Sequence, residues 1–283
     1  MRVYDLNPYE VRIYWGNLMP EIEPVFNTTT KQMPGLGRIA AFDPRDKEHK
    51  MSAVAPLEVT VTRRIWSVRI PEEQKSILPM TNGLLDQGST SQCTAFGGTH
   101  FLLTGPVFQP AYLTPARLYA LNQLWDDWPG SEIVEPFYQG SSVHAVMKVL
   151  KAAGLISEYV WAFDADTVRR WVLANGPVVV GTDWLSNMNQ ANTSGFIRAR
   201  GNLLGGHCYE LLGADDGLRC PDGSRGAFIM LNSWGQWGFK NSGRAFISYK
   251  DMDRLIKHGG EAATATEFLN TAPINLEGIP VPA

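Results

Sequence analysis

The 283-residue sequence is poor in cysteine and has no long apolar run. It contains 3 cysteines, Cys93, Cys208 and Cys220, and this small, odd number argues against a disulfide framework and for reducing surroundings. No apolar run approaches the roughly 20 residues that a membrane span needs. The first residues also lack the basic and apolar regions of a secretory signal. We therefore expect a cytoplasmic protein that does not bind a membrane.

Charge is also scarce, since 19% of the residues are charged and the net charge is -3. No Lys/Arg-rich run occurs, so nothing in the sequence calls for a nucleic-acid partner. No Cys-x-x-Cys or His-x-x-x-His spacing occurs either, and we expect no metal site and no cofactor. With 44% hydrophobic residues, however, the chain is long enough to bury a sizeable core.

The two halves of the chain differ in pattern. Prolines punctuate residues 1 to about 60, which predicts an extension of loops and short strands. Helices are predicted after Cys93, from Thr114-Pro115 onward and after Ser141-Ser142, where Gly154 ends the last of them. A short helix is predicted at 166–173, and short apolar runs then predict strands at 177–180, 209–212, 227–231 and 244–248. A helical half followed by a strand-rich half predicts an α+β fold with a cleft between the halves.

Cys93 is the first candidate for chemistry. A cysteine is more often an inert buried side chain. Cys93, however, opens a predicted helix, and a helix N-terminus favours the thiolate. Gln87 lies a short polar turn upstream, where its amide could donate to an oxyanion.

A thiol nucleophile needs a base within hydrogen-bond reach. Of the 5 histidines, His49 and His258 lie in charged stretches that predict exposure, and His100 lies too far along the Cys93 helix to face the thiol. His144 begins a helix, where we expect it to be solvated. His207 remains, next to glycines that allow close backbone approach. Taken alone, His207 is still slightly more consistent with a structural role than with a catalytic one.

The third element is Asn232, which is followed by Trp234. An Asn in this position can hold an imidazole while the indole shields the hydrogen bond from water. Taken alone, the segment is equally consistent with a turn at the end of a strand that carries aromatic core residues.

Together the three segments resemble the papain-like cysteine peptidase family, in its bacterial or bacteriophage type. Residues 86–96 follow the family's Gln-Gly-x-Cys-Gly-Ser-Cys-Trp-Ala-Phe pattern, with Gln87, Gly88, Cys93, Ala95 and Phe96 in register. Gly206-His207 is similar to the histidine segment, and Asn232-Ser233-Trp234-Gly235 to the asparagine segment. The family order of Gln, Cys, His and Asn is kept. The resemblance covers about residues 80 to 255.

The resemblance implies a papain-like two-lobed fold. A helical lobe would carry Cys93, a β-barrel-like lobe would carry His207 and Asn232, and the active-site cleft would lie between the lobes. It further implies a Cys-His-Asn triad that hydrolyses peptide bonds through a thioester, with Gln87 donating to the oxyanion.

Four further residues are placed by the resemblance in substrate binding: Gly140, Gly181, Gly206 and Trp234. Gly140 would pair with the substrate backbone. Gly181 and Gly206 would line a roomy specificity pocket without an acidic group, which predicts apolar or aromatic side chains over Arg.

The sequence departs from the family in three places. Thr90 stands where the family has a cysteine, Thr94 where it has a tryptophan, and Ser91 where it has a glycine. No propeptide motif of the family is visible before residue 80. We divide the chain into an N-terminal extension packed on the catalytic domain (1–78), a catalytic domain (79–258) and a C-terminal tail (259–283). For the extension, we favour a brace or docking surface over a segment that inhibits the cleft.

Alternatives to a thiol peptidase with a peptide or protein substrate stay open. One is a structural or docking component of a larger assembly, such as a phage particle, built on the same fold with weak or lost activity. Its N- and C-terminal extensions would bind it to the assembly, and the protein would then be virion-associated. Another is a non-peptidase acyl-transfer enzyme.

Overall fold

The structure is a computed structural model. It describes residues 33–41, 43–106, 108–109, 113–126 and 139–267. The predicted α+β class is confirmed, with α-helices packed around a large antiparallel sheet. Within the described residues, no helix is long and apolar enough to cross a membrane.

Three helices form the helical lobe, and the second and third begin at the predicted capping residues. They are α1 (Cys93–Leu103), α2 (Pro115–Trp125) and α3 (Val143–Ala152). The Thr114 side chain accepts the Arg117 N–H and starts α2, and the Ser142 side chain accepts a backbone N–H and starts α3. All 11 residues of α1 are buried, so this helix lies at the centre of the molecule with Cys93 at its first position.

The strands of the described residues are β1 (Arg63–Ile65), β2 (Met80–Thr81), β3 (Leu84–Leu85), β4 (Tyr159–Trp161), β5 (Val178–Leu185), β6 (Leu203–Arg219), β7 (Arg225–Leu231), β8 (Arg244–Ser248) and β9 (Glu261–Ala265). The strand-rich lobe is an open antiparallel sheet in the order β4-β9-β5-β6-β7-β8, with β1 also paired to β6. In the described part of the chain, the predicted barrel-like sheet does not close into a barrel. Two further helices, α4 (Ala165–Ala174) and α5 (Tyr249–Lys257), belong to this lobe, and the strands β2 and β3 form a separate two-stranded sheet.

Strand β6 links the sheet to the cleft. It is 17 residues long, and its pairing with β7 shifts register between Leu211 and Gly213. The part before this shift pairs with β5 and carries His207, opposite Thr182. The part after it pairs with β1 and β7. A register shift of this kind bends a strand, so that β6 pairs with different neighbours before and after the shift. The bend also brings His207 to the end of the sheet that faces α1.

Strand β9 lies in a segment that the sequence placed in a C-terminal tail. It is buried throughout and pairs with both β4 and β5. Its sequence, Glu-Ala-Ala-Thr-Ala, has only one β-branched residue, so the strand signal is weak and the tail prediction is wrong for these residues. Residues 268–283 lie outside the described residues.

The described part of the N-terminal extension packs on both lobes. Leu36, Met51 and Ala55 enter the main hydrophobic core, and Leu78 packs against Phe96 of α1. Between Ala55 and Leu78 along the chain, residues 57–62 contain no regular structure, and Leu57 is 87% exposed. Residues 1–32 of the extension lie outside the described residues.

Candidate active site

His207 and Asn232 lie side by side at the end of the sheet. The His207 Nε2 is 2.8 Å from the Asn232 Oδ1, which also accepts the Ser233 backbone N–H at 2.8 Å. Because a backbone N–H can only donate, it identifies this atom as the amide oxygen. The imidazole therefore donates through Nε2, and in the neutral ring Nδ1 keeps its lone pair. That nitrogen is buried and has no hydrogen-bond partner.

Two tryptophans enclose this histidine. Trp234 stacks on the imidazole with ring centroids 4.7 Å apart, as its predicted shielding role requires. Trp184 meets the ring edge to face at 4.8 Å. Trp184 is fully buried and its Nε1 donates to Asn189 at 2.7 Å, so the indole packs on the histidine.

Cys93 lies at the start of α1, against the first half of β6. The backbone N–H of Cys208, the residue after His207, acts to lower the pKa of the Cys93 thiol, so the two groups are near one another. A side chain at Gly97, one turn further along α1, would come within 2.8 Å of the Cys208 sulfur, so the helix and the strand are in close contact. The structure thus brings Cys93 close to the His207 segment. It contains no hydrogen bond between the thiol and the imidazole.

Burial sets the ionisation of both groups. The Cys93 and His207 side chains are both 0% exposed. Burial raises the pKa of the Cys93 thiol to about 12, against the opposing effect of the Cys208, Thr94 and Gly37 N–H groups and the charge on Arg38. Burial lowers the pKa of His207 to about 4, against the opposing effect of Asn232. At neutral pH the pair is a thiol and a neutral imidazole, so the thiolate expected from the helix N-terminus does not form in this covered state.

Gln87, the predicted oxyanion donor, is held by Ser233. The Ser233 hydroxyl donates to the Gln87 Oε1 at 2.6 Å, which turns the Nε2 toward the cleft. That nitrogen donates to the carbonyl oxygens of Thr90 at 2.8 Å and Gly35 at 3.0 Å. The Gly35 carbonyl also accepts the Trp234 Nε1 at 3.1 Å. A peptide carbonyl from the extension is therefore already bound where Gln87 was expected to act on substrate.

The residues Met33–Ala41, which we call the cleft segment, cover the site. Gly37 and Arg38 donate their backbone N–H groups to the Gly206 carbonyl at 3.0 Å each. On the opposite side, Ser141 donates to the Gly37 carbonyl at 2.9 Å and accepts from Ile39 at 2.7 Å. The segment thus crosses between the two lobes, bonded to both.

Glycines permit this crossing. A Cβ at Gly37 would overlap the Ser91 carbonyl, and one at Gly206 would overlap the Arg38 carbonyl. Gly140 has φ +109 and faces the Gly37 carbonyl, but the bonds to the segment come from its neighbour Ser141. The preference for a brace away from the cleft is therefore wrong for the cleft segment. The reason is that its small residues fit between the lobes.

The predicted specificity pocket contains a charge that the sequence did not place there. Gly181 and Gly206 both lie against the Arg38 side chain. The Arg38 Nε is 2.8 Å from the Glu261 Oε2, because β9 sets Glu261 opposite Gly181. The expectation of a pocket without an acidic group is therefore wrong. Glu261 was missed because it lies in the weak-pattern segment that sequence reasoning treated as a tail.

His144 also differs from its prediction. It is 3% exposed, and its Nε2 lies 3.6 Å from the Asp46 Oδ1 rather than in solvent. Among the described residues, no group of three or more His, Cys, Asp and Glu side chains is placed to hold a metal ion.

Comparisons with known proteins find similarity among solved structures alone. No family model matches the chain, and no curated protein sequence matches it. Among solved structures, the procathepsin B S9 of Trypanosoma congolense matches with a TM-score of 0.50 and 12% identity over 83% of this chain and 86% of that chain. Xylellain, a cysteine protease from Xylella fastidiosa, gives a TM-score of 0.47 and 17% identity over 83% and 95%. The digestive procathepsin L2 proteinase of Tenebrio molitor gives 0.48 and 14% over 92% and 88%. The likeness to the procathepsin B shows that this chain has the papain-like fold.

Proposed function

We propose that the protein is a cysteine-type peptidase that hydrolyses peptide bonds through Cys93, His207 and Asn232. The observation that carries the proposal is the hydrogen bonding of the two ring nitrogens of His207. Its Nε2 is fixed by Asn232 at 2.8 Å, and its Nδ1 is buried without a partner on the side of the ring that remains for a thiol. A buried nitrogen without a partner is costly, and a catalytic role is one reason that such a group is retained.

The proposed reaction assigns a role to each group. His207 Nδ1 takes the thiol proton of Cys93, and the sulfur attacks the carbonyl carbon of a peptide. The Gln87 amide and the Cys93 backbone N–H stabilise the oxyanion. The C–N bond breaks as His207 returns its proton to the leaving amine. Water, deprotonated by His207, then hydrolyses the thioester.

In this proposal, the covered chain is an inactive form. The cleft segment holds the Gln87 amide, the Gly206 carbonyl and Ser141, and it buries the thiol. Substrate can bind only after the segment leaves. Release of the segment would also return water to Cys93 and His207, which removes the desolvation that keeps both groups neutral.

Cutting the chain in the stretch 57–62, where Leu57 and Glu58 are exposed, tests the proposal. A site for a specific protease is inserted there in the full chain, and release of the N-terminal fragment is followed by size-exclusion chromatography. We expect hydrolysis of a fluorogenic peptide and labelling by a broad papain-type epoxide to appear after the cut, and both to be lost in Cys93→Ala. Released fragment with neither hydrolysis nor labelling would rule the peptidase out.

The docking alternative has one observation in its favour. The thiol and imidazole are fully buried and neutral, and an extension bonded to both lobes covers them. A protein that keeps the fold without its activity would hold this cover permanently. In that case the cut fragment would stay bound, and Cys93→Ala would have no effect in the assembly.

A further inference from the structure

The side chain of Arg38 fills a deep pocket beside the cleft. Arg38 is 4% exposed although it carries a charge. A Cβ at Gly181 would come within 3.0 Å of the Arg38 Cγ and 3.1 Å of its Nε, and one at Gly206 within 3.2 Å of its Cδ. The absence of side chains at these two glycines therefore makes room for a long side chain.

Glu261 forms the charged end of this pocket. Its Oε2 accepts the Arg38 Nε at 2.8 Å, and its Oε1 accepts the His144 backbone N–H at 3.3 Å. The other arm of the guanidinium donates to the Gly259 carbonyl. The side chains of Arg38 and Glu261 are 3% and 7% exposed. A carboxylate buried to this extent is costly unless a cation accompanies it.

The pocket belongs to the cleft, because the backbone on either side of Arg38 makes the cleft contacts. Gly206 accepts from the Arg38 N–H, and Ser141 bonds to the residues before and after it. When the segment leaves, the Gly206 carbonyl, both backbone groups of Ser141 and the Glu261 Oε2 together lose the partners that the segment supplied. The ligand that replaces all four is an extended peptide with a cationic side chain.

We infer that this pocket selects a basic side chain in the substrate, and that Glu261 determines the selection. The inference rests on the proposed peptidase function and names its substrate class. Arginine fits better than lysine, since the two acceptors, Glu261 and Gly259, lie at different arms of the guanidinium fork. Arg38 thereby occupies the pocket as a substrate side chain would.

Peptidyl-epoxide probes test the inference on the full chain cut at 57–62 after fragment release. The probes carry arginine, lysine, citrulline or leucine at each of the two positions next to the epoxide, and the rate of Cys93 labelling is followed by mass spectrometry. Citrulline is the matched control because it has the shape of arginine without its charge. We expect the arginine probe to label at least about tenfold faster than the citrulline probe.

The Glu261→Gln variant should lose this preference, so that the arginine and citrulline probes label its Cys93 at similar rates. Glu73→Gln, an exposed glutamate far from the pocket contacts, should behave as the parent. Equal rates for arginine and citrulline in the parent, or a preference that survives Glu261→Gln, overturn the inference. If Glu261→Gln fails to fold, the comparison of the arginine and citrulline probes on the parent chain still tests the inference.

A second measurement separates this inference from the peptidase proposal. Fluorescent arginine and citrulline peptides are titrated against the cut Cys93→Ala chain, which has no thiol to react. Tighter binding of the arginine peptide supports the pocket even if no probe labels Cys93, a result that would refute the peptidase alone. Equal binding, with labelling intact, refutes the pocket alone.

Discussion

The Gln87 side-chain amide donates a 3.0 Å hydrogen bond to the carbonyl oxygen of Gly35. Gln87 lies in the turn before the thiol, and Gly35 lies in the cleft segment. The bond therefore joins the group proposed to stabilise the oxyanion to the segment that excludes substrate. A change that weakens the contacts of the cleft segment should therefore free the Gln87 amide and the Cys93 thiol together.

Gly37→Ala should uncover Cys93 in the uncut chain. The new Cβ would overlap the Ser91 carbonyl, a backbone atom that cannot turn aside, so the segment cannot keep its path. We expect iodoacetamide to modify Cys93 at least about tenfold faster than in the parent, where all three cysteines are buried. Peptide mass spectrometry gives the rate at each cysteine.

Ala40→Ser is the matched control for that variant, because Ala40 is exposed in the same segment. It should leave the rate at Cys93 unchanged. Faster modification of Cys208 or Cys220 than of Cys93 in Gly37→Ala would contradict the assignment of the reactive thiol.

The pH dependence of Cys93 modification by iodoacetamide should change when the cleft segment no longer covers the thiol. Burial holds the pKa of Cys93 at about 12 and that of His207 at about 4, so the covered thiol ionises only in strongly alkaline solution. In Gly37→Ala, hydration lowers the thiol pKa and raises the imidazole pKa, and the thiolate becomes populated near neutral pH. Labelling rates measured from about pH 4 to about pH 10 should rise at a lower pH than in the parent. An unchanged profile would mean that burial is not the cause.

Asn232→Ala should lower kcat/KM of the cut chain far less than Cys93→Ala. Asn232 orients the imidazole through the 2.8 Å bond to Nε2, whereas the Cys93 sulfur forms the covalent bond. The loss for Asn232→Ala should lie in kcat, since in the proposed mechanism Asn232 acts on the imidazole and not on the substrate. Circular dichroism checks that both variants are folded. Equal losses in folded proteins would show that these roles are misassigned.

Glu210 should make the folded protein less stable as pH rises. Burial raises its pKa from 4.5 to about 8, so the unfolded chain loses this proton near its ordinary pKa while the folded chain holds it. Stability from this group is full below about pH 4.5 and falls as pH rises toward 8. The Thr104 hydroxyl donates to the Glu210 Oε2 at 2.9 Å, and this bond opposes the rise in the Glu210 pKa without outweighing burial.

Glu210→Gln should remove this part of the pH dependence. The parent should lose a few kcal/mol of unfolding free energy between about pH 5 and pH 8 relative to the variant, since one pKa unit corresponds to about 1.4 kcal/mol. Urea unfolding at several pH values measures the difference. Glu158→Gln, at an exposed site, is the control. Parallel pH curves for the parent and Glu210→Gln would contradict a protonated Glu210.

Local sequence signals predicted much of the fold, because their causes are local. Thr114 and Ser142 start their helices as capping residues do, and Arg244–Ser248 forms β8 as its apolar run predicts. Asn232 and Trp234 could be placed at His207 by resemblance, since the three segments kept the family's order. The adjacent positions Ser233 and Ser141 gave no comparable signal, yet their side-chain and backbone groups hold Gln87 and the cleft segment.

The sequence by itself determined the α+β class, the main helices and strands and the candidate triad, since these depend on periodicity, capping and short motifs. The tertiary structure alone decided that the thiol is covered and that Arg38 meets Glu261, 223 residues away along the chain. Such a contact depends on where a weak strand joins the sheet and on which glycines let a segment pass between two lobes. These are properties of packing between distant segments, and no local pattern encodes them.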